Sequence, residues 1–360
     1  MLNYFSISQH RFGEQNMDLA IILLALVIVL VALFDFTNGF HDAADMVATA
    51  VASRAMTPGI AIGIVTLFTF IAPFSVGLTV ADTVGTFVNV GAASTIDGET
   101  LVIAALLAAI TYNLATWWLG YPSSSSNSLA GGLVGAGLYC VGSNHIDWGI
   151  TALANGQLHG VMKVVAGLFV SPFFGFVIGF LVMKLLFRLL HRASQKTTRV
   201  FVVSQYISVA WLGFSHGAND AQKGMAVIGM MLLASGTTST FTIPDWAIFL
   251  CATAITLGTL FGGWRIIKTL GFGLFRVRVI HSVANQLGAA LVNSVATLSG
   301  APTSTTQVVT ATLLGNGAAE KPQHVKWQTA RSIVAGWFMN VPVSILLGWF
   351  YCLIFLKLWS

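Results

Sequence analysis

The sequence predicts an all-α polytopic membrane protein. It is built of two inverted-topology repeats, each with a broken helix and a re-entrant helical hairpin, giving about twelve helical segments. Three observations carry this: a composition too poor in charge for water, a series of apolar stretches near spanning length, and a motif pair that recurs at one offset. Of 360 residues, 56% are hydrophobic and 8% charged, with a mean hydropathy of +0.82. Soluble domains carry about 25% charged residues, so lipid must solvate this chain. Soluble enzymes, nucleic-acid binders and disordered proteins are thereby excluded. The net charge of +5 is no nucleic-acid footprint, because the basic residues lie in loops between apolar runs, where they set membrane orientation.

Apolar stretches fall at 19–52, 60–81, 101–119, 126–141, 161–187, 200–234, 246–262, 282–299, 306–315 and 332–356. A helical span needs about 20 residues. The stretch 19–52 would reach roughly 51 Å as one helix, against a hydrocarbon core of about 30 Å. Thr37-Asn38-Gly39-Phe40-His41-Asp42 in its middle predicts a break, with Asp35 capping the first piece. Loops 188–199 and 263–281 are basic and lack acids, whereas 82–99, 143–159 and 235–245 have no Lys or Arg. The positive-inside rule places the first pair in the cytoplasm and the other three outside. Residues 101–141 then begin and end outside, which predicts a re-entrant hairpin turning at Tyr121-Pro122-Ser123-Ser124-Ser125-Ser126. Residues 282–315 form a second hairpin from the opposite face. The expected organisation is a tail at 1–18, a first repeat at 19–187, a basic cytoplasmic linker at 188–199 and a second repeat at 200–360. No secretory leader pattern opens the chain, so the first apolar run is read as a retained span. Cys140, Cys251 and Cys352 lack metal-ligand spacing, and neither a disulfide framework nor a zinc site is expected.

The repeat rests on two aligned motifs. Thr37-Asn38-Gly39-Phe40-His41-Asp42-Ala43-Ala44-Asp45 matches Ser215-His216-Gly217-Ala218-Asn219-Asp220-Ala221-Gln222-Lys223. Asn113, ahead of Pro122-Ser123-Ser124-Ser125-Ser126, matches Asn293, ahead of Pro302-Thr303-Ser304-Thr305-Thr306. The offsets are 178 residues between Asp42 and Asp220 and 180 between Pro122 and Pro302. Three full crossings per half, an odd number, make the halves inverted. Such repeats characterise secondary transporters, with the site near the bilayer midplane.

Two constellations carry the chemistry. Asp42 and Asp220 stand at symmetric positions at membrane depth, where a carboxylate is a functional-site candidate by default. Asn38 and Asn219 flank them, and the set is read as a proton or cation site. Helix capping near an interface is the bland alternative, disfavoured by the symmetry. At the tips, Ser123, Ser124 and Ser125 and their counterparts Thr303, Ser304 and Thr305 follow a proline. Free backbone N–H groups, the positive dipole end and the hydroxyls together suit a tetrahedral oxyanion. Capping alone is the competing reading. Asp45 and Lys223, each three residues past its signature Asp, are expected either to pair across the repeat interface or, for Lys223, to snorkel. His41 and His216 are read as either proton relays or structural hydrogen-bond partners.

Phe36–Asp42, Phe214–Gly224 and the two Pro-hydroxyl tips resemble the inorganic phosphate transporter (PiT) family, closest to its bacterial low-affinity PitA-type members, over nearly the whole chain. The resemblance implies symport of inorganic phosphate with a cation across a bacterial plasma or inner membrane. The cation is a proton or sodium, and a divalent metal travels with the phosphate in some members. It places Asp42 and Asp220 on the signature aspartates and the tip residues on the phosphate. Departures are informative. Asp45 stands where the family often has Asn, and Asn127 and Gln307 where it often has His. Thr69 and Gln286 stand where sodium-coupled relatives carry Glu, which favours protons.

The expected function is therefore a proton-coupled phosphate importer working by alternating access, not an enzyme, with no resident cofactor or metal. Sodium coupling, or a permease for sulfate or arsenate, is the alternative. A channel fits the inverted repeats less well, and a membrane enzyme lacks a nucleophile motif. A homo-oligomer stays open.

Overall fold

The structure is a computed structural model. It describes residues 2–192, 197–262, 271 and 273–359, with side chains from residue 22 to residue 358 apart from Thr197. Among these residues twelve α-helices form and no strand. They are α1 (Leu2–Ala52), α2 (Pro58–Ile71), α3 (Thr79–Thr86), α4 (Thr95–Leu119), α5 (Ser125–Cys140), α6 (Ile150–Ala154), α7 (Gly160–Leu190), α8 (Thr197–Ala234), α9 (Asp245–Phe261), α10 (Val279–Leu298), α11 (Thr305–Glu320) and α12 (Trp327–Trp359). Part of the expected linker (193–196) and part of the second basic loop (263–270) lie outside the described residues.

Ile22–Ala52 of α1, all of α4 and α7, and Trp327–Leu358 of α12 are each long and apolar enough to cross a membrane. Residues 58–74 and α3, bent by 75° at their junction, are apolar and long enough only when taken together. Outward side chains such as Val29, Leu33, Phe173, Leu181, Phe338 and Leu346 are exposed, as a lipid-facing surface requires.

The breaks predicted at the two signature stretches are not found. α1 and α8 run unbroken through 37–42 and 215–220, and the discontinuity falls between α2 and α3 instead. The signature glycines serve packing. A Cβ on Gly39 would lie 2.0 Å from the Ile255 carbonyl oxygen of α9, and one on Gly217 would lie 2.4 Å from the Thr69 carbonyl oxygen of α2. Glycine weakens a helix interior by about 0.5–1 kcal/mol without ending it, and it lets backbones approach in membranes. Asp35 caps nothing; it is fully buried inside α1.

The halves interlock by exchange. α1 packs along α9, and α8 along α2. The first hairpin, α4 and α5, packs along α12, and the second, α10 and α11, packs along α7. Each closing helix therefore clasps the other half's hairpin. A Cβ on Gly135 would meet the Ile345 carbonyl at 2.0 Å, and one on Gly315 the Phe176 carbonyl at 2.1 Å. A disulfide between Cys140 and Cys352 further joins α5 to α12, which overturns the expectation of no disulfide. Its partners are 212 residues apart, so local spacing carries no signal of it.

Candidate functional site

The two hairpin tips are built alike and meet. Ser124 Oγ accepts from Asn127 N at 3.1 Å and Ser304 Oγ from Gln307 N at 3.3 Å, so these two hydroxyls cap α5 and α11. The capping alternative holds for them. The first N–H groups of both helices have no intrahelical acceptor, and both positive dipole ends face the junction. There Ser126 Oγ donates to the Thr303 carbonyl at 2.7 Å.

Separate anchors hold each tip. Asn340 of α12 donates to Ser123 Oγ at 3.0 Å and to the Ser124 carbonyl at 2.7 Å. Ser125 Oγ donates to Asn38 Oδ1 at 2.6 Å, and Asn38 Nδ2 donates onward to Asp220 Oδ2 at 3.3 Å. In the second tip, Thr303 N donates to Asn219 Oδ1 at 3.0 Å, while Asn219 Nδ2 reaches the Thr297 hydroxyl and the Ala301 carbonyl. Asn293 Nδ2 donates to Thr305 Oγ1 at 3.2 Å, and Thr303 Oγ1 donates weakly to Asn293 Oδ1 at 3.4 Å. His216 Nδ1 lies 3.2 Å from the same Thr305 hydroxyl.

The ionisable groups sit against these tips. Asp42, Asp45, Asp220, Lys223, His41 and His216 are all buried. The Thr306 hydroxyl lies 2.7 Å from Asp42 Oδ1 and also touches Asp45 Oδ2. Lys223 Nζ lies 2.8 Å from Asp220 Oδ1, donates to the Thr303 carbonyl at 2.8 Å and contacts Ser126 Oγ. The expected Asp45–Lys223 pair is thus not formed. One helical step separates Lys223 from Asp220, which places them side by side on α8, and Thr306 engages Asp45. Nor does Lys223 snorkel, being 1% exposed. His216 Nδ1 lies 3.8 Å from both Asp42 and Asp220, and His41 Nδ1 lies 3.7 Å from Asp42. Ligand atoms of Asp42, His216 and Asp220, and those of His41, Asp42 and Asp45, lie within 4.8 Å of one another in each group. Such spacing suits a small cation or shared protons.

Three carboxylates and one ammonium stand in the cluster, and Asp35 is buried alongside Gly224, so acids outnumber bases there. Neutral residues stand at the two positions aligned with an acid in sodium-coupled relatives. Thr69 Oγ1 donates to the Gly213 carbonyl at 3.1 Å, and Gln286 Oε1 accepts from Gln205 at 2.6 Å and Ser208 at 2.7 Å.

The twelve binding and coupling residues expected from sequence, and His41 and His216 with them, lie at this junction. Those missed are Ser126 and Thr306, the fourth hydroxyl of each run, and the anchors Asn340 and Asn293. The hydroxyl runs announced the first two, and the repeat marked Asn293. Asn340 lies in a plain apolar stretch and gave no signal.

The phosphate transporter family profile matches residues 38–200 and 188–348. A probable low-affinity inorganic phosphate transporter of Rhizobium meliloti (strain 1021) is 38% identical, over 92% of this chain and 96% of that protein. One of the same description from Bacillus subtilis (strain 168) is 36% identical, over 92% of this chain and 97% of that protein. A solved structure described as the sodium-dependent phosphate transporter superposes with a TM-score of 0.82, covering 94% of this chain and 99% of that one. At 23% identity it supports the fold alone.

Proposed function

Since the chain belongs to the phosphate transporter family, we propose that it is a multi-pass secondary transporter that imports inorganic phosphate by proton symport across a bacterial plasma membrane. Phosphate lies between the two tips, held by the free N–H groups of α5 and α11 and by the hydroxyls of Ser123, Ser125, Thr303 and Thr305. Asp42 and Asp220 hold the coupled charge, with Asn38 and Asn219 orienting the tips beside them. Neither a resident metal nor an enzymatic step has a part in this reading.

One observation carries the coupling. The Thr306 hydroxyl has a single proton and lies against two carboxylates, Asp42 and Asp45. It can donate to only one of them at a time, and the reading assigns the coupled proton to the other. The charge balance points the same way. An anion entering a site where carboxylates already outnumber ammonium groups must bring compensating positive charge. Protonation at Asp42, Asp45 or the histidines supplies it. The neutral Thr69 and Gln286 leave no additional carboxylate for sodium at those positions. The loaded, compensated site then occludes at low cost, and the two hairpins with their clasping helices switch access between faces.

A second reading has its own support: the Asp42–His216–Asp220 group is spaced for a cation, so a divalent metal riding with phosphate also lowers the charge. Radiolabelled phosphate uptake into proteoliposomes tests both. An inward proton gradient without sodium drives uptake, a protonophore abolishes it, and added magnesium raises it only if metal–phosphate is the cargo. Uptake that waits for sodium would overturn the proton reading.

A further inference from the structure

On the side of the basic loops, 10–12 residues beyond Asp42 in the chain and 14 along α11 from Thr306, lies a cavity of about 890 Å³. It is formed by the end of α1, the segment before α10 and the end of α11 with the turn that follows. Arg54, Arg276, Arg278, Lys321 and Lys326 line it, with Glu320 as the acid among its lining residues. Glu320 is already engaged: Arg278 pairs with one oxygen and His281 Nε2 lies 2.8 Å from the other. Arg54, Arg276, Lys321 and Lys326 have no carboxylate partner among the described residues, and the stretch 263–281 contains no acid at all.

Positive-inside sorting explains basic residues in these loops. It does not explain why basic residues from three separate segments line one concavity, nor the backbone of Arg54. α1 ends in a paired-carbonyl cap, with Arg54 N donating to Val51 O and Ala55 N to Ala50 O. Arg54 takes the left-handed position of this cap, with φ of +59°, alone among the described non-glycine residues. Glycine is the usual occupant, free of steric cost. A strained arginine there points to selection for its charge.

We propose that this cavity binds a phosphoryl-bearing anion from the cytoplasmic side, and that its occupant brakes transport. The ligand is either a free phosphate compound or a lipid headgroup; unpaired guanidinium and ammonium groups recognise the phosphoryl oxygens in both. The brake follows from the helices that are bridged. Arg54 ends the helix that carries Asp42 and Asp45, and Lys321 follows the helix that begins at Thr305 and Thr306. In the transport reading, inward opening moves these two elements apart, and an anion linking them holds them together. This rests on the transport reading above.

Pyrophosphate, too highly charged to pass for the cargo, is the probe. Its binding to the full-length purified chain in neutral-lipid nanodiscs is measured directly, so a failure of phosphate transport leaves this measurement standing. Wild type binds it saturably. Arg54→Gly, which relieves the backbone while deleting the charge, weakens binding about tenfold, as does Lys321→Ala with Lys326→Ala. Phosphate uptake without pyrophosphate stays at the wild-type rate in these variants, while pyrophosphate sealed inside the vesicles slows wild type and spares Arg54→Gly. If nanodiscs of phosphatidylglycerol abolish pyrophosphate binding in wild type, the natural ligand is a lipid headgroup; if they do not, it is a free anion. Equal affinity in wild type and Arg54→Gly would overturn the site, and binding without slowed uptake would overturn the brake.

Discussion

The two hairpin tips share a backbone and differ in charge. Each has a proline, a capping serine and an asparagine anchor, and each opens a helix of the same length. Yet the first tip offers Ser126 to an ammonium, Lys223, whereas the second offers Thr306 to two carboxylates, Asp42 and Asp45. Duplication supplied a symmetric cradle, and substitution at two related positions, Asp45 and Lys223, polarised it. In the proposed transport reading both tips hold the anion, while the coupled charge is assigned to the second. Coupling and substrate binding are thereby separable by mutation.

The comparison can be broken or sharpened in graded ways. Asp42→Asn removes the carboxylate at the second tip and should lower coupled uptake about a hundredfold or more, equivalent to about 2.7 kcal/mol, with normal folding by circular dichroism. Proton-driven uptake near the wild-type rate would dissolve the distinction between the tips. Lys223→Ala leaves Asp220 unpaired in the interior, and removing one partner of a buried pair costs about 3–5 kcal/mol. A drop in thermal stability that Asp220→Asn then reverses would establish the pair on α8, and no drop would deny it. The repeat-related asparagines should prove nearly equal: Asn113→Ala and Asn293→Ala each strand a buried hydroxyl and should cost about 1–3 kcal/mol in chemical denaturation. A large inequality would mean that the cradle is less symmetric than its geometry. The smallest effect separates the fourth hydroxyls. Thr306→Val should shift the pH dependence of uptake, because it removes the shared proton between Asp42 and Asp45, whereas Ser126→Ala should leave the profile in place and change only apparent affinity. Identical profiles would remove the functional asymmetry.

Much of this was readable in the sequence because repeats and hydroxyl runs are local signals. The duplicated motif at a near-constant offset located the aspartates, the asparagines and both tips before any coordinates. What was misread depends on which atoms meet across the fold. Gly39 and Gly217 looked like helix breakers, since a sequence does not show that the carbonyls of Ile255 and Thr69 press against them. Symmetry offers Lys223 either Asp45 or the membrane surface, whereas the helical step puts it beside Asp220. The Cys140–Cys352 bond and the Asn340 anchor arise from α12 folding back along the first hairpin, a contact between residues more than 200 positions apart. The left-handed backbone of Arg54 has no sequence signature either, because glycine is the residue that usually announces it.

The exchange of closing helices has a consequence for the protein's ancestry and for its engineering. The border between the repeats in the gene is not a border in space, since each half lends its last long helix to the other half's hairpin. A single half, expressed alone, leaves its hairpin without a clasp and its last helix without a hairpin to hold. Two copies of one half can satisfy each other only by reciprocal embrace. The two-copy forerunner implied by the duplication was on this account an obligate antiparallel pair, and fusion into one chain fixed the stoichiometry that later allowed the two copies to diverge in charge.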